Sequence, residues 1–176
     1  IVEPYHMSYP QIFEYDGEIY IVPETGSGRT LDMYRAVDFP DKWEKSVNLA
    51  KDVVFADTTL LNRGGKLYAL ACDMERTKNS ELVLFSVNEN MKLCSTELGC
   101  FVNDPVTARA ACKMFEYCGK LIRVSQDCSE EYGKRLYFLE VDSDFSSYYR
   151  EKTVNTLDVK YLNIIGIKNP FRVHTY

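Results

Sequence analysis

Apolar and polar positions along the chain repeat in a pattern that is typical of β-hairpins. Three segments each contain an apolar run, a polar turn ending in glycine, a charged residue and a second apolar run. They are YPQIFEYDGEIYIV (9–22), DTTLLNRGGKLYAL (57–70) and ACKMFEYCGKLIRV (111–124). Their glycines, Gly17, Gly65 and Gly119, are 48 and 54 residues apart. Because glycine readily adopts the positive φ of a two-residue turn, the pattern predicts three hairpins centred on these residues.

Two further apolar segments follow each hairpin. The first set is LDMYRA (31–36), LVLFSV (82–87) and LYFLEV (136–141), and the second lies at 43–49, 91–95 and 148–154. Four strands in a unit of about 50 residues is the spacing of propeller blades. We therefore predict an all-β fold of tandem four-stranded antiparallel blades. A non-repetitive β-sandwich is the alternative, since it also uses hairpins turned at glycine.

The expected units form a single propeller-like domain over residues 1–176. The blades span approximately 6–52, 53–104 and 105–157, and a further C-terminal strand lies within 158–176. A closed propeller typically has about four to eight blades. Three blades of a five-bladed type therefore predict an incomplete ring, or a homo-oligomer that associates through exposed blade edges.

Composition narrows the classes of partner. The net charge is −5 and acidic and basic residues are interleaved, so we expect no nucleic-acid partner. No stretch reaches the roughly 20 apolar residues that span a bilayer, and the first residues do not resemble a signal peptide.

The six cysteines form no CxxC pair, and Cys72 and Cys112 lie in apolar runs. We therefore expect reduced thiols, a cytoplasmic location, no metal and no cofactor.

Polar residues stand at corresponding ends of the predicted inner strands. In a propeller the innermost strand of each blade faces a central channel. Because adjacent inner strands run antiparallel, the start of one and the end of the next meet at the same rim. The residues at these positions are His6, Glu24, Asp57, Asp73, Arg109, Gln126 and Asp127. We predict that they form one polar ring at the channel mouth.

The residue types in this ring suit a sugar ligand. Carboxylates and amides accept and donate the paired hydrogen bonds that neighbouring hydroxyls need, and His or Arg adds donors. Structural interpretations remain open beside this one. Asp57, followed by Thr58 and Thr59, is compatible with a strand-end cap, Glu24 with a solvated loop, and Arg109 with a structural salt bridge.

Several short motifs resemble one particular domain. They are HMSYP (6–10), IVPET (21–25), YRAVDFPDKW (34–43), DTT (57–59), KLIR (120–123) and QDCS (126–129). In this order they resemble the N-terminal propeller-like domain of glucosamine inositolphosphorylceramide transferases and of related bacterial polysaccharide-biosynthesis proteins. The resemblance extends from about residue 6 to the end of the chain.

The resemblance implies an architecture similar to five-bladed glycosidases such as arabinanases and β-xylosidases. Those enzymes use a general-base Asp, a second Asp that sets a pKa, and a general-acid Glu on successive inner strands. Asp57 matches one of the aspartates, but Arg109 stands where a Glu would be needed. In the plant enzymes, sugar transfer belongs to a separate C-terminal domain. The resemblance therefore implies a carbohydrate context and leaves hydrolysis open.

Three functions are compatible with these observations. The first is a carbohydrate-binding domain that serves polysaccharide or glycolipid biosynthesis through the polar ring. The second is a glycoside hydrolase in which Asp57 acts as base or nucleophile and Glu24 or Asp127 acts as acid. Hydrolysis requires two carboxyl groups that face each other across the channel at roughly 5–10 Å. The third is a non-catalytic scaffold whose blade edges associate with another copy.

Overall fold

Three four-stranded antiparallel sheets follow one another along the chain, in a computed structural model that describes residues 1–158. The first sheet contains β1 (Ser8–Tyr15), β2 (Glu18–Glu24), β3 (Thr30–Asp38) and β4 (Lys42–Lys51). The second contains β5 (Phe55–Arg63), β6 (Lys66–Asp73), β7 (Glu81–Val87) and β8 (Leu93–Asn103). The third contains β9 (Phe115–Tyr117), β10 (Lys120–Gln126), β11 (Arg135–Ser143) and β12 (Tyr149–Asp158). Each sheet is a meander whose strands pair in chain order.

The prediction of an all-β fold made of tandem four-stranded sheets is confirmed. The three hairpins turn at the predicted glycines, where Gly17, Gly65 and Gly119 have φ values of 76°, 79° and 75°. The residue before each glycine also has positive φ, which two-residue hairpin turns of this hand require at both central positions. Cys118, the least typical of these preceding residues, adopts φ 50° like its counterparts.

The middle sheet is buried on both faces, and β6 shows why. Alternate residues of a strand point to opposite faces. Leu67, Ala69 and Ala71 belong to the apolar cluster shared with the first sheet, where they join Val22 and Leu31. The residues between them, Tyr68, Leu70 and Cys72, belong to the cluster shared with the third sheet. A continuous apolar run in β6 therefore serves two cores.

A buried glutamine joins the first two sheets. Gln11 of β1 donates from Nε2 to the Leu60 carbonyl oxygen at 2.8 Å, and its Oε1 accepts from the Leu60 N–H at 2.7 Å. The side-chain amide thus makes the pair of hydrogen bonds that a neighbouring strand would make. Next to it, the Tyr9 and Thr59 hydroxyls are 3.0 Å apart. These contacts fix the first strands of the two sheets side by side.

The third sheet departs from the repeat at its first strand. An apolar run from residue 111 predicts a strand as long as β1, but β9 contains only Phe115–Tyr117. Before it, Ala110 forms a single bridge to Ser125, and the chain then leaves the ladder. Ala110 and Ala111 are buried, and the Ala111 N–H still donates to the Val124 carbonyl oxygen of β10 at 2.9 Å.

The expected C-terminal strand lies outside the described residues, apart from Asp158 at the end of β12. The assignment of the whole chain to a single domain stays a prediction. Within residues 1–158, no helix is long and apolar enough to cross a membrane. All six cysteines are free thiols, and Cys72 is the buried one.

Candidate functional site

Two irregular residues stand at corresponding positions in the first strands of sheets one and two. Tyr9 and Asp57 both lie in bulges that shift the strand register, and both have positive φ, 45° and 46°. Each stands eight residues before the glycine of its hairpin. A left-handed conformation is strained for residues other than glycine and often accompanies a functional position. The strain therefore points to this region as a site.

The carboxylate of Asp57 connects the second sheet to the third. Its Oδ2 accepts a hydrogen bond from Arg109 Nε at 2.6 Å and another from Gln126 Nε2 at 2.9 Å. Arg109 lies in the segment before β9, and Gln126 ends β10. The Gln126 amide also donates to the Ala110 carbonyl oxygen at 2.8 Å. Asp57 and Gln126 are 5 % and 1 % exposed, so these charge-assisted bonds form away from bulk water.

Glu24 brings the first sheet into the same group. Its Oε2 accepts from the Asp57 backbone N–H at 2.9 Å and lies 4.0 Å from Arg109 Nη2. Arg109 also donates from Nη1 to Asn79 Oδ1 at 2.8 Å. The guanidinium carbon lies 5.1 Å from the centre of the Tyr132 ring, in a cation–π contact. One guanidinium therefore faces two carboxylates, an amide and an aromatic ring.

Burial changes the protonation of this group. Removal from water raises the pKa of Asp57 to about 6, and the negative charge of Glu24 adds to the rise, while the attraction of Arg109 opposes it. Burial likewise raises the pKa of the Tyr9 phenol. The pKa of Asp57 thus lies above that of an ordinary aspartate.

A cavity of about 450 Å³ opens beside these side chains. Acidic, basic, amide and aromatic groups share its wall with apolar surface. The lining residues are Ser8, Tyr9, Pro10, Gln11, Ile12, Asp57, Arg109, Ala111, Cys112, Lys113, Gln126 and Tyr132. A largely apolar wall with a few convergent polar groups is the usual composition of a small-molecule site.

The structure brings together four of the seven residues predicted for the polar ring: Glu24, Asp57, Arg109 and Gln126. The remaining three have other surroundings. His6 is exposed and does not line the cavity. Asp73 caps its own turn by accepting from the backbone N–H groups of Glu75 and Arg76. Asp127 is buried and accepts from the backbone and hydroxyl of Ser129. Their roles in a site stay predictions.

Three residues of the site were not predicted. Tyr9 could have been found, since it holds the same position before Gly17 as Asp57 holds before Gly65. Asn79 and Tyr132 come from connecting segments outside the repeated pattern, and nothing in the sequence alone points to them. Within the described part of the chain, no group of three or more His, Cys, Asp or Glu side chains is placed to hold a metal ion.

Comparison with known proteins identifies the family. Residues 1–172 match the model of the family described as "Glucosamine inositolphosphorylceramide transferase 1, N-terminal". The chain belongs to this family. It is 33 % identical over 166 residues to glucosamine inositolphosphorylceramide transferase 1 of Arabidopsis thaliana, a match covering 86 % of this chain and 20 % of that protein. The Oryza sativa subsp. japonica relative is 31 % identical over 160 residues, covering 87 % and 21 %. The chain thus spans about a fifth of these relatives.

Solved structures with the same fold are propeller glycosidases. This member of the transferase N-terminal family aligns with Bacteroides ovatus xyloglucan PUL GH43B at a TM-score of 0.57 and 15 % identity, over 85 % of this chain and 29 % of that one. An endo-arabinase from Bacteroides thetaiotaomicron aligns at 0.57 and 13 % identity, over 83 % and 61 %. At these identities the likeness concerns the fold alone. The expected propeller-like architecture is confirmed.

Proposed function

We propose that this chain is a carbohydrate-binding propeller domain, in which the cavity beside Asp57 holds a sugar unit. The observation that carries the proposal is the convergence of three sheets on that cavity. Pro10 and Gln11 come from the first sheet, Asp57 from the second and Gln126 from the third, and all four line the cavity. Arg109 holds the Asp57 carboxylate in place. Groups that are fixed before a ligand arrives lose little conformational freedom on binding.

The chemistry of the wall suits a sugar ring. Hydroxyl groups bind well to carboxylates and amides, which offer acceptors and donors in pairs. Apolar ring faces need flat apolar partners, and the Tyr132 ring, 37 % exposed, stands at the wall with Pro10 and Ile12 nearby. The relatives named for glucosamine transfer to an inositolphosphorylceramide support a role in glycolipid biosynthesis. The glycosidase fold of the structural neighbours supports the same carbohydrate context.

The arrangement of carboxylates favours binding over hydrolysis. A glycosidase needs two carboxyl groups on opposite sides of the scissile bond, one of them a proton donor. Glu24 and Asp57 lie side by side, since the Asp57 backbone N–H binds Glu24 and both carboxylates face Arg109. The third proposed carboxyl group, that of Asp127, is engaged by Ser129. Association with another copy through blade edges stays a prediction.

A glycan array, followed by calorimetric titration of its hits, tests the proposal. We expect the wild-type protein to bind a restricted set of glycans. Asp57→Asn and Tyr132→Ala should each weaken binding by about tenfold or more, because each removes a contact to the ligand. Asp73→Asn is the matched control, since that carboxylate serves its own turn. Circular dichroism of each variant confirms folding, and a wild-type protein that binds no glycan contradicts the proposal.

A further inference from the structure

The cavity beside Asp57 extends along the first strand of the first sheet. Its wall includes five consecutive residues of β1, from Ser8 to Ile12. Ser8 pairs with Glu24, whose carboxylate accepts a hydrogen bond from the Asp57 backbone N–H. Ile12 pairs with Ile21, three residues away from Glu24 along β2. Because a strand rises by about 3.3 Å per residue, the two ends of this wall are about 10 Å apart. The cavity is therefore longer than one pyranose ring.

Two exposed apolar side chains of β1 line this cavity. Alternate residues of a strand point to opposite faces. Gln11 and Phe13 face the second sheet, since Gln11 binds the backbone of Leu60 and Phe13 packs against the apolar cluster shared with that sheet. Pro10 and Ile12 therefore point away from the second sheet, and both line the cavity. Pro10 is exposed and Ile12 is 43 % exposed, so their apolar surface is available to a ligand.

The segment from Ala111 to Met114 supplies another part of the wall. Its two ends are buried, Ala111 among apolar side chains of the third sheet and Met114 in the cluster shared with the second sheet. Cys112 and Lys113, between these anchors, line the cavity. Lys113 is exposed, and no carboxylate of residues 1–158 forms an ion pair with it. Its ammonium group can therefore donate hydrogen bonds to a ligand.

The repeat indicates which end of the cavity Lys113 occupies. Lys113 and Gln11 both stand six residues before the glycine of their hairpin, whereas Asp57 stands eight residues before its own. Because the first parts of the three units are equivalent in the repeat, Lys113 belongs to the part of the wall near Ile12. The cavity therefore has a polar end beside Asp57 and a second end where an ammonium group accompanies apolar side chains.

We propose that the cavity binds at least two linked sugar units, the first beside Asp57 and the second against Pro10, Ile12 and Lys113. The inference rests on the proposed function and specifies the length of its ligand. Pro10 and Ile12 offer an apolar surface to one face of a pyranose ring. The Lys113 ammonium offers three donors, and the hydroxyl oxygens of a sugar accept them. A single sugar beside Asp57 would leave this second group without a contact.

Calorimetric titration with fragments of one glycan tests this inference. The probes are the array glycan of highest affinity, its terminal disaccharides and its terminal monosaccharides. We expect one disaccharide to bind about 10-fold more tightly than either of its monosaccharides, because the second unit adds hydrogen bonds and an apolar contact. Equal affinities for disaccharide and monosaccharide, or array hits confined to single sugars, overturn the inference and leave sugar binding intact. Failure of every glycan to bind overturns both proposals.

Substitution of Lys113 tests where the second unit lies. Lys113→Met removes the ammonium group and keeps a long side chain at an exposed position, so the protein should fold normally. The variant should bind the disaccharide about 3-fold to 10-fold more weakly and the monosaccharide with unchanged affinity, whereas Asp57→Asn should weaken binding of both. Lys66→Met makes the same change at an exposed position outside the cavity wall, and as the matched control it should alter neither affinity. A Lys113→Met variant that weakens both ligands equally, or neither, contradicts the proposed place of the second unit.

Discussion

Two buried arginine–carboxylate groups in this molecule have similar chemistry and different surroundings. Arg109 joins Asp57 and Glu24 beside the cavity, across three sheets. Arg123 joins Glu151 within the third sheet, where Nη2 reaches both carboxylate oxygens at 2.8 Å and Nε reaches one at 3.0 Å. Tyr149 donates to the same carboxylate at 2.7 Å, and Arg123 donates to the Thr107 carbonyl oxygen. The second group is balanced in charge, one to one.

The difference teaches how to separate a structural ion pair from a binding site. Arg123 is 1 % exposed and does not line the cavity beside Asp57. Its bidentate pair balances the charges within one sheet, and Arg123 Nη1 is the one buried donor of this group without a hydrogen-bond partner among the described residues. The Arg109 group contains a second carboxylate, that of Glu24, and a buried acceptor without a partner, Gln126 Oε1, and its members Asp57, Arg109 and Gln126 line the cavity. Burial alone does not distinguish the two groups, whereas charge balance and access do.

The largest effect is expected from breaking the balanced pair. Glu151→Ala leaves the Arg123 guanidinium buried without its carboxylate, and the free energy of unfolding should fall by about 3–5 kcal/mol. Urea denaturation measures the loss. Glu140→Ala, which removes a partly exposed partner of Lys120 from β11 of the same sheet, serves as the control and should cost less than about 1 kcal/mol. Equal losses for the two variants would show that the Arg123 pair is not structural.

Removing the guanidinium of the cavity group should have a smaller and pH-dependent effect. We expect Arg109→Met to lower the free energy of unfolding by about 1–3 kcal/mol at pH 7, because Asp57 can take up a proton instead of remaining as an unpaired charge. Loss of Arg109 raises the pKa of Asp57 further, since its attraction opposes the rise.

The sign of this pH dependence follows from proton binding. A carboxyl group with a raised pKa in the folded state holds its proton more tightly there than in the unfolded chain, so stability falls as pH rises through the folded pKa. Arg109→Met should therefore lose more stability at pH 8 than at pH 5, relative to wild type. Urea midpoints at the two pH values measure this, and equal losses at both would contradict it.

The smallest effect concerns the neighbouring carboxylate. Glu24→Gln removes a negative charge that raises the pKa of Asp57, so this pKa should move down toward its ordinary value. Carbon-13 NMR titration of the aspartate carboxyl groups follows the change directly. In Asp73→Asn the pKa of Asp57 should stay at its wild-type value, and an unchanged pKa in Glu24→Gln would mean that the two carboxylates are not coupled.

The hairpins and the four-stranded units could be predicted because the repeat consists of turn residues and apolar runs, which are local signals in the sequence. The site was harder, since a side chain's direction changes with each residue along a strand. Glu24 and Gln126 both stand seven residues after their glycines, and both join the group around Asp57. Asp73 stands eight residues after Gly65. This offset of one residue places its side chain on the opposite face, where it caps a turn.

The segment before β9 and the connecting loops illustrate the remaining limit. Arg109, Asn79 and Tyr132 meet because three sheets bring separate segments to one place. The spacing of these residues in the sequence does not predict their contacts, because the contacts depend on packing between segments that are distant along the chain. Arg109 is nonetheless among the predicted ring residues, because it stands at the start of the predicted first strand of the third unit.

The convergence of three sheets on one carboxylate has a thermodynamic consequence. A ligand held by groups from every sheet binds only when all three sheets keep their mutual register, so its binding energy is added to the stability of the whole array. Ligand occupancy of the cavity and packing of the three sheets are then thermodynamically coupled. Such a ligand would therefore resist the separation of the first sheet from the third.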